Sequence, residues 1–517
     1  MERESDAETQ ACTVARKGSV YIQMITWGIS ANSHDAALAV FADEKLVFAS
    51  HSERFSRIKN DPNLCKELVD YAKQKWGEPN RVIWYENPYT KTIRQLFAGQ
   101  GWKWGKNNVK KYLAGYNINA PISYCSHHLA HAAGGYYTSK FDNACVVVID
   151  AIGEFETLTI WHANGMKLTK LYSLSYPHSI GLFYSAMTQR CHLKPLEEEY
   201  ILMGMAAYGR PGKLTRDMLD DFVQFPNNDY GNPVQFRQNL HKGCQTWRPD
   251  LVINDTFDIA TATQEVYEMM LDRVLQHATS LSGSKNLVLT GGCALNCLGN
   301  RIAGKYFSNV WVPVDPGDAG SAIGAVLAKR KWRLDPDYYD AYQGYDLGYI
   351  ADDAEIVDWL EEHQICGVAR GKAEFGPRAL GNRSILADPR GDSIKERVND
   401  IKKREQYRPF APAILEEHVN DYFRMPYGWD TSRHMAVVAR CRHPDLFPAI
   451  VHRDGTSRVQ TVPNDGSRFR KLLEIWYART GCPMLLNTSL NIKGEPIVND
   501  YTEAFKFERH HNIRVFN

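Results

Sequence analysis

Residues 372–390 set Arg378, Arg383 and Arg390 among glycine and proline turn formers, close to apolar residues. Tight turns hold a planar guanidinium fork in place, where it can take pairs of oxygen atoms from a phosphate or carboxylate. Lys402, Lys403, Arg404 and Arg408 follow, just ahead of Pro409-Phe410-Ala411-Pro412. Fixed positive charge in that amount suits an anion richer in charge than one carboxylate. Upstream, His127-His128-Leu129-Ala130-His131 places His127 and His131 four residues apart, on one face of a helix and spaced to grip one metal ion. Asp150 ends the apolar run Val146-Val147-Val148-Ile149, where a carboxylate would sit at the carboxyl edge of a sheet. Two histidines and a carboxylate leave positions open, which suits Fe(II) or another divalent ion. The same spacing also occurs on helix surfaces and in satisfied cores. A metalloprotease needs glutamate beside the first histidine, and His128 stands there instead.

Three glycine-bearing turns add a second kind of chemistry. They are residues 28–35, residues 290–296 with Gly291, Gly292 and Asn296, and residues 316–322 with Gly317 and Asp318. Backbone N–H groups in such turns and at helix starts attract phosphate. Each turn alone reads more readily as structure. In this order the three resemble the split nucleotide cleft of the actin-like ATPase fold.

Strands and helices must position these groups. Residues 25–29, 37–41 and 45–50 read as apolar strands, and the strand–turn–strand start recurs at 146–150 and 157–161, which hints at a duplicated fold. Residues 286–290 form a further buried strand, and 318–328 a helix of small residues. Residues 333–365 read as a connector with one helix, so a second domain begins beyond it. Alternating strands and helices give an α/β class. Residues 1–23 lack a signal-peptide core and are expected to be a disordered leader.

A chain of 517 residues is too long for one core and suggests about three domains or subdomains. Its 44% hydrophobic and 23% charged content is that of a globular protein, not a disordered one. A net charge of +1 gives no overall field toward nucleic acid or a membrane, though it leaves room for a local basic groove. The sequence has no run of about 18 apolar residues. The eleven cysteines are scattered, and Cys293 and Cys297 lack the C-x-x-C spacing, so a cytoplasmic, reduced protein is expected. Trp102 and Trp104, among Lys103, Lys106, Lys110 and Lys111, read as a solvated loop with core anchors, or as an acceptor-side surface able to stack on a base or sugar.

Together the motifs resemble one family, the O-carbamoyltransferases of the nodulation, cephamycin and tobramycin type. The matching pieces are His34-Asp35, residues 53–59, residues 127–132, Gly291-Gly292-Cys293-Ala294-Leu295-Asn296, residues 375–383, Tyr407-Arg408-Pro409-Phe410-Ala411-Pro412, residues 454–460 and residues 486–491. The resemblance covers nearly all of residues 24–500. It implies an actin-like ATPase (Kae1-like) domain over 24–345 and a YrdC-like α/β domain over 346–517. It further implies that the second makes carbamoyl-adenylate from carbamoyl phosphate and ATP, with Mg2+ accompanying the nucleotide, and that the first passes the carbamoyl group to an acceptor hydroxyl. By position, His127, His131, Asp150 and Asp318 match the family's metal ligands. Arg378, Lys402, Arg408, Arg458, Asn487, Thr488 and Ser489 fall in motifs that hold carbamoyl phosphate and the nucleotide, and Gly291, Gly292, Asn296 and Gly317 join them. His34, Asp35 or His128 would take the hydroxyl proton, and Arg378 and Arg408 would act on the forming adenylate.

The sequence departs from the family twice. Ile201 stands where lysine is expected, with Arg210 or Lys213 as the replacement, and the chain stops at Asn517, where a further terminal strand is expected. The acceptor is a small molecule or sugar, or a hydroxymethyl pyrimidine, free or in DNA; a homodimer is open and a membrane partner is not expected. The rivals are a tRNA threonylcarbamoyl-type adenylate enzyme and a catalytically silent nucleotide-binding scaffold.

Overall fold

The computed structural model describes residues 23–226, 231–335 and 339–517. The expected leader therefore lies outside the described residues except for Gln23.

Two sheets carry the first part of the chain. In one, the strands run in the order Lys45–His51, Ala37–Ala42, Ile25–Ser30, Arg81–Trp84, Ile122–Tyr124. Tight turns make the first two pairings antiparallel, and helical crossovers make the last two parallel. The other sheet repeats the plan with Lys167–Ser175, Glu156–Asn164, Asn143–Gly153, Asn286–Thr290 and Asn309–Trp311, again two antiparallel pairings and then two parallel. The duplication expected from two strand–turn–strand starts is thus present in strand order. The central strands read as unbroken apolar runs because helices cover them on both faces.

Helices His127–Tyr136 and Ser321–Arg330 lie side by side, the former against the second sheet and the latter against the first. Their approach needs a missing side chain: a Cβ on Gly324 would lie 1.9 Å from the Ala130 carbonyl oxygen. This contact brings the histidine-bearing helix beside the short turn Asp318–Gly320 that leads into its neighbour. The 27-residue helix Thr256–Ser282 packs on the second sheet. Among the described residues no helix is long and apolar enough to cross a membrane.

A third sheet of six strands follows, in the order Gln460–Val462, Ala411–Leu415, Met484–Ser489, Arg383–Ala387, Ile365–Ala369, Val515–Phe516. Apolar clusters cover both of its faces. The expected boundary at 345/346 falls inside the strand Tyr342–Asp346, which pairs with Lys372–Glu374. At the other end, Val515–Phe516 is the outermost strand of the third sheet, parallel to Ile365–Ala369.

The two parts are fastened by buried and part-buried contacts. Arg54 donates to the Gly376 carbonyl, and Arg57 to the Pro496 and Ile497 carbonyls, with Glu503 alongside at 3.1 Å. Tyr208 donates its hydroxyl to the Tyr407 carbonyl, and the Asn300 amide donates to that of Ala436.

Candidate active site

The helical period and the carboxyl edge of the second sheet bring four side chains to one point. The Nε2 atoms of His127 and His131 lie 3.0 Å apart, Asp150 Oδ2 is 3.1 Å from His127, and Asp318 Oδ1 is 3.4 Å from both imidazoles. One ligand atom from each of the four lies within 4.8 Å of the others. Strand Asn143–Gly153 passes closely enough only because Gly153 has no side chain, since a Cβ there would meet the His127 ring at 2.1 Å. Two ring nitrogens facing each other beside two carboxylates form a donor set that fits a divalent cation, with oxygen and nitrogen ligands of the kind iron accepts.

Beside this cluster sits a group that sequence reasoning missed. His51 lies buried between Asp35, 2.8 Å from Nδ1, and Asp315, 2.9 Å from Nε2. Burial alone would pull its pKa down, but the charges and hydrogen bonds of the two carboxylates outweigh burial and raise it to about 10. Burial likewise pushes Asp35 up, and His51, then His34 and Lys59, hold it at about 2. Asp315 also accepts from the Gly317 N–H at 2.9 Å, so this imidazolium ties the Asp35 turn to the turn that carries Asp318.

His51→Gln is expected to lower stability by about 3 kcal/mol at pH 6. A histidine whose folded pKa is raised contributes fully below its unfolded value near 6.5 and loses that contribution as pH climbs through 10. Asp35, with a depressed pKa, loses its part as pH falls from 3.8 through about 2. The gap in thermal midpoint between wild type and variant should therefore be wide at pH 5–6 and closed above pH 10. A gap independent of pH would show that no ion bridge holds these turns.

The second constellation is cationic. Arg378 makes no hydrogen bond or ion pair among the described residues, and the Arg458 Nε is buried without a partner. Burial, followed by repulsion from Arg458 and Arg408, lowers Arg378 to about 9. Burial and its cationic neighbours also push down Arg458, Lys402 and Arg404. Among these five side chains and their described partners, Glu405 is the only carboxylate, 3.5 Å from Arg408 and shared with Lys493. Positive charge gathered in a buried place with so little counter-charge is what binding an anion calls for. Tyr200, from helix Glu199–Met205 of the first part, lies 5.0 Å from the Arg408 guanidinium. One cavity is lined by Leu295, Pro316 and Arg378, a second by His131, Asp315 and Phe375, and they share Pro313 and Val314.

Residues 82–327 match the family profile of the carbamoyltransferase N-terminus, and residues 357–516 that of the carbamoyltransferase C-terminus. The chain belongs to the carbamoyltransferase family. Nodulation protein U of Rhizobium tropici is 36% identical, with 92% of each chain covered. Nodulation protein NolNO of Sinorhizobium fredii is 31% identical over 91% of this chain and 76% of its own. The 3'-hydroxymethylcephem-O-carbamoyltransferase of Amycolatopsis lactamdurans is 26% identical over 90% of this chain and 93% of its own. Among solved structures, HypF of T. kodakarensis is 12% identical, covers 60% of this chain and 48% of its own, and has a TM-score of 0.35, too distant to argue from.

In this carbamoyltransferase several expected site residues sit differently from the sequence reading. His128 is wholly buried with Nδ1 2.9 Å from Thr159 Oγ1, and burial followed by the His127 charge drives its pKa well down, so it cannot meet an acceptor. Asp35 is occupied by His51. His34, in contrast, keeps a buried Nε2 without a partner. Asn296 pairs with Gln264 and accepts from the Gly299 N–H, a core pairing. Gly291 lies on the strand edge with φ 87, where a Cβ would meet the Ile149 carbonyl oxygen at 2.3 Å. The Gly292 N–H points to Asp150 at 3.3 Å.

In the second part, Lys402 is held by the Ser489 and Asn491 carbonyls and side chains, which leaves Arg378, Arg408 and Arg458 as the open cations. Asn487 donates to the Ala379 carbonyl and to Gln460, and Thr488 and Ser489 continue the same strand, Met484–Ser489. Arg383 is no anion ligand: it donates to the carbonyls of Tyr345, Arg370, Gly371, Asn382 and Asn499 in the core. Arg390 pairs with Asp388. Ile201 is buried among apolar residues, and Arg210 and Lys213 both bind Asp258, so neither supplies the missing lysine charge.

Proposed function

We propose that the protein is an ATP-dependent O-carbamoyltransferase. The reading rests on the Arg378, Arg408 and Arg458 cluster, offset among the described residues by Glu405 alone, lying in the same fold as the four-ligand histidine–aspartate group. Carbamoyl phosphate and ATP repel each other, and cations already fixed in place offset that repulsion without the cost of reorienting solvent. In balance, carbamoyl phosphate, ATP and one water give carbamoyl-adenylate, phosphate and pyrophosphate. In the second step the acceptor hydroxyl oxygen attacks the carbamoyl carbon, the bond to the AMP oxygen breaks, and AMP leaves with the electron pair. The hydroxyl proton passes to His34, whose buried Nε2 has no hydrogen-bond partner among the described residues. A divalent ion held by His127, His131, Asp150 and Asp318, with Fe(II) expected, would supply Lewis acidity toward the adenylate phosphate or the hydroxyl.

The repeated strand order of the first two sheets supports an actin-like transfer domain over 24–345, and the arginine cluster supports a YrdC-like adenylate-forming domain over 346–517. The shared wall at Pro313 and Val314 supports a short, enclosed route for a labile adenylate between the two groups. Pyrophosphate release should require ATP and carbamoyl phosphate together. Release supported equally by bicarbonate and threonine would favour threonylcarbamoyl chemistry, and no release under either condition would favour the silent scaffold.

A further inference from the structure

From Asn87 to Phe141 the chain contains no Asp or Glu, yet it carries Lys91, Arg94, Lys103, Lys106, Lys110, Lys111 and Lys140, in a protein of net charge +1. Lys91 and Arg94 are used internally, on Glu86 and on Gln100 with the Glu154 carbonyl. The ammonium groups of Lys103, Lys106, Lys110 and Lys111 make no hydrogen bond or ion pair among the described residues. Helix Pro88–Phe97 turns Tyr89, Ile93, Leu96 and Phe97 outward on one face, with Phe97 71% exposed. Tyr89 stacks on Trp104 at 4.8 Å, and Trp102 beside it is 65% exposed. Exposed ring faces next to unpaired lysines are unlike a solvated loop, which would scatter charge of both signs and bury its aromatics.

This platform is tied to the histidine cleft on two sides. The Asn32 amide, in the turn that carries His34, donates to the Lys106 carbonyl, and Lys91 donates to the Asn32 carbonyl. Glu154 accepts from the Asn87 N–H and from the His127 N–H.

We propose that this surface binds single-stranded nucleic acid, whose phosphates lie along the lysines while its bases stack on Trp102 and the neighbouring rings, and that the strand presents its acceptor hydroxyl to the cleft. The second half of that statement rests on the carbamoyl-transfer reading. Charge complementarity favours a polyanion, and planar rings favour unpaired bases, whose faces stack without sequence preference.

The test uses the full chain and a fluorescent 20-mer oligothymidylate, read by anisotropy across a salt series. Wild type should bind, and binding should weaken steeply with salt. Trp102→Ala should weaken binding about tenfold. Lys103→Ala with Lys106→Ala should flatten the salt slope by about 1.4, at roughly 0.7 for each phosphate that is no longer neutralised. All three positions lie on the surface, so pyrophosphate release from ATP and carbamoyl phosphate should be unchanged in both variants. A strand containing hydroxymethylpyrimidine should then gain about 43 Da with wild type and lag with the variants. Absence of binding at low salt, or binding untouched by the substitutions, overturns the surface. So does a wild-type dimer that Phe97→Ser splits, because the face would then belong to a second copy of the chain. Oligonucleotide binding without pyrophosphate release would sink the adenylate reading and leave the surface standing; the reverse result would do the opposite.

Discussion

Arg378→Ala is expected to cut pyrophosphate release by about 100- to 1,000-fold while making the ligand-free protein more stable. The kinetic loss follows from removing a fixed cation aimed at developing negative charge. The stability gain follows from the same environment. Arg378 is partly buried, has no hydrogen-bond or ion-pair partner among the described residues, and is lowered to about 9 by burial and by Arg458 and Arg408. A cation with a depressed folded pKa weakens the folded state at neutral pH, and its removal should return about 1–2 kcal/mol once solvent screening is allowed for. Arg383→Ala provides the contrast. It would take the guanidinium donors from five core carbonyls, of which those of Gly371 and Asn382 keep backbone donors from Leu347 and Arg370, and cost about 3–5 kcal/mol. Thermal midpoints of the two variants should therefore move in opposite directions from wild type. If Arg378→Ala released pyrophosphate within tenfold of wild type, the anion assignment would be wrong. ATP with carbamoyl phosphate should raise the wild-type midpoint and leave that of Arg378→Ala nearly unmoved.

His131→Ala is expected to spare pyrophosphate release and to abolish carbamoyl transfer. Its imidazole is one of four donors within 4.8 Å, so its loss should weaken metal binding by at least about 100-fold, read as metal content per chain after dialysis. His131 lies in the first part of the chain, away from the arginine cluster, so adenylate formation should continue, and its product should hydrolyse instead of reaching an acceptor. A variant that retained its metal, or that lost pyrophosphate release, would break the proposed division of labour.

The metal-type cluster was largely readable in the sequence because local periodicity places its parts. A helix puts His127 and His131 on one face, and the last turn-ward residues of the strand Asn143–Gly153 carry Asp150. Asp318 came only through family resemblance, because its position depends on the Gly324–Ala130 helix contact. The duplicated sheet plan was visible as two similar strand–turn–strand openings, although the crossovers that complete it were not. Arg378 and Arg383 show where reading stops. They are five residues apart in one turn-rich motif, yet one faces the cationic pocket and the other fills the core. The difference lies in carbonyls supplied by residues 345, 370–371 and 499, which no local pattern announces. His51 was invisible for the same reason, since one of its partners, Asp315, arrives from the far end of the first part. His128 looked as available as its neighbours, and only the packing against Thr159 withdraws it.

The clasp formed by Arg54 and Arg57 bears on how such proteins can be recombined. Both arginines belong to the N-terminal part, yet they bind main-chain oxygens of Gly376, Pro496 and Ile497. Main-chain acceptors persist whatever side chains surround them, provided the loops keep their path. Chimeras that graft a foreign C-terminal part onto this N-terminal one should therefore tolerate wide sequence divergence at the seam and fail abruptly on a one-residue insertion in either loop. Loop length, more than residue identity, should limit the exchange of parts among these enzymes.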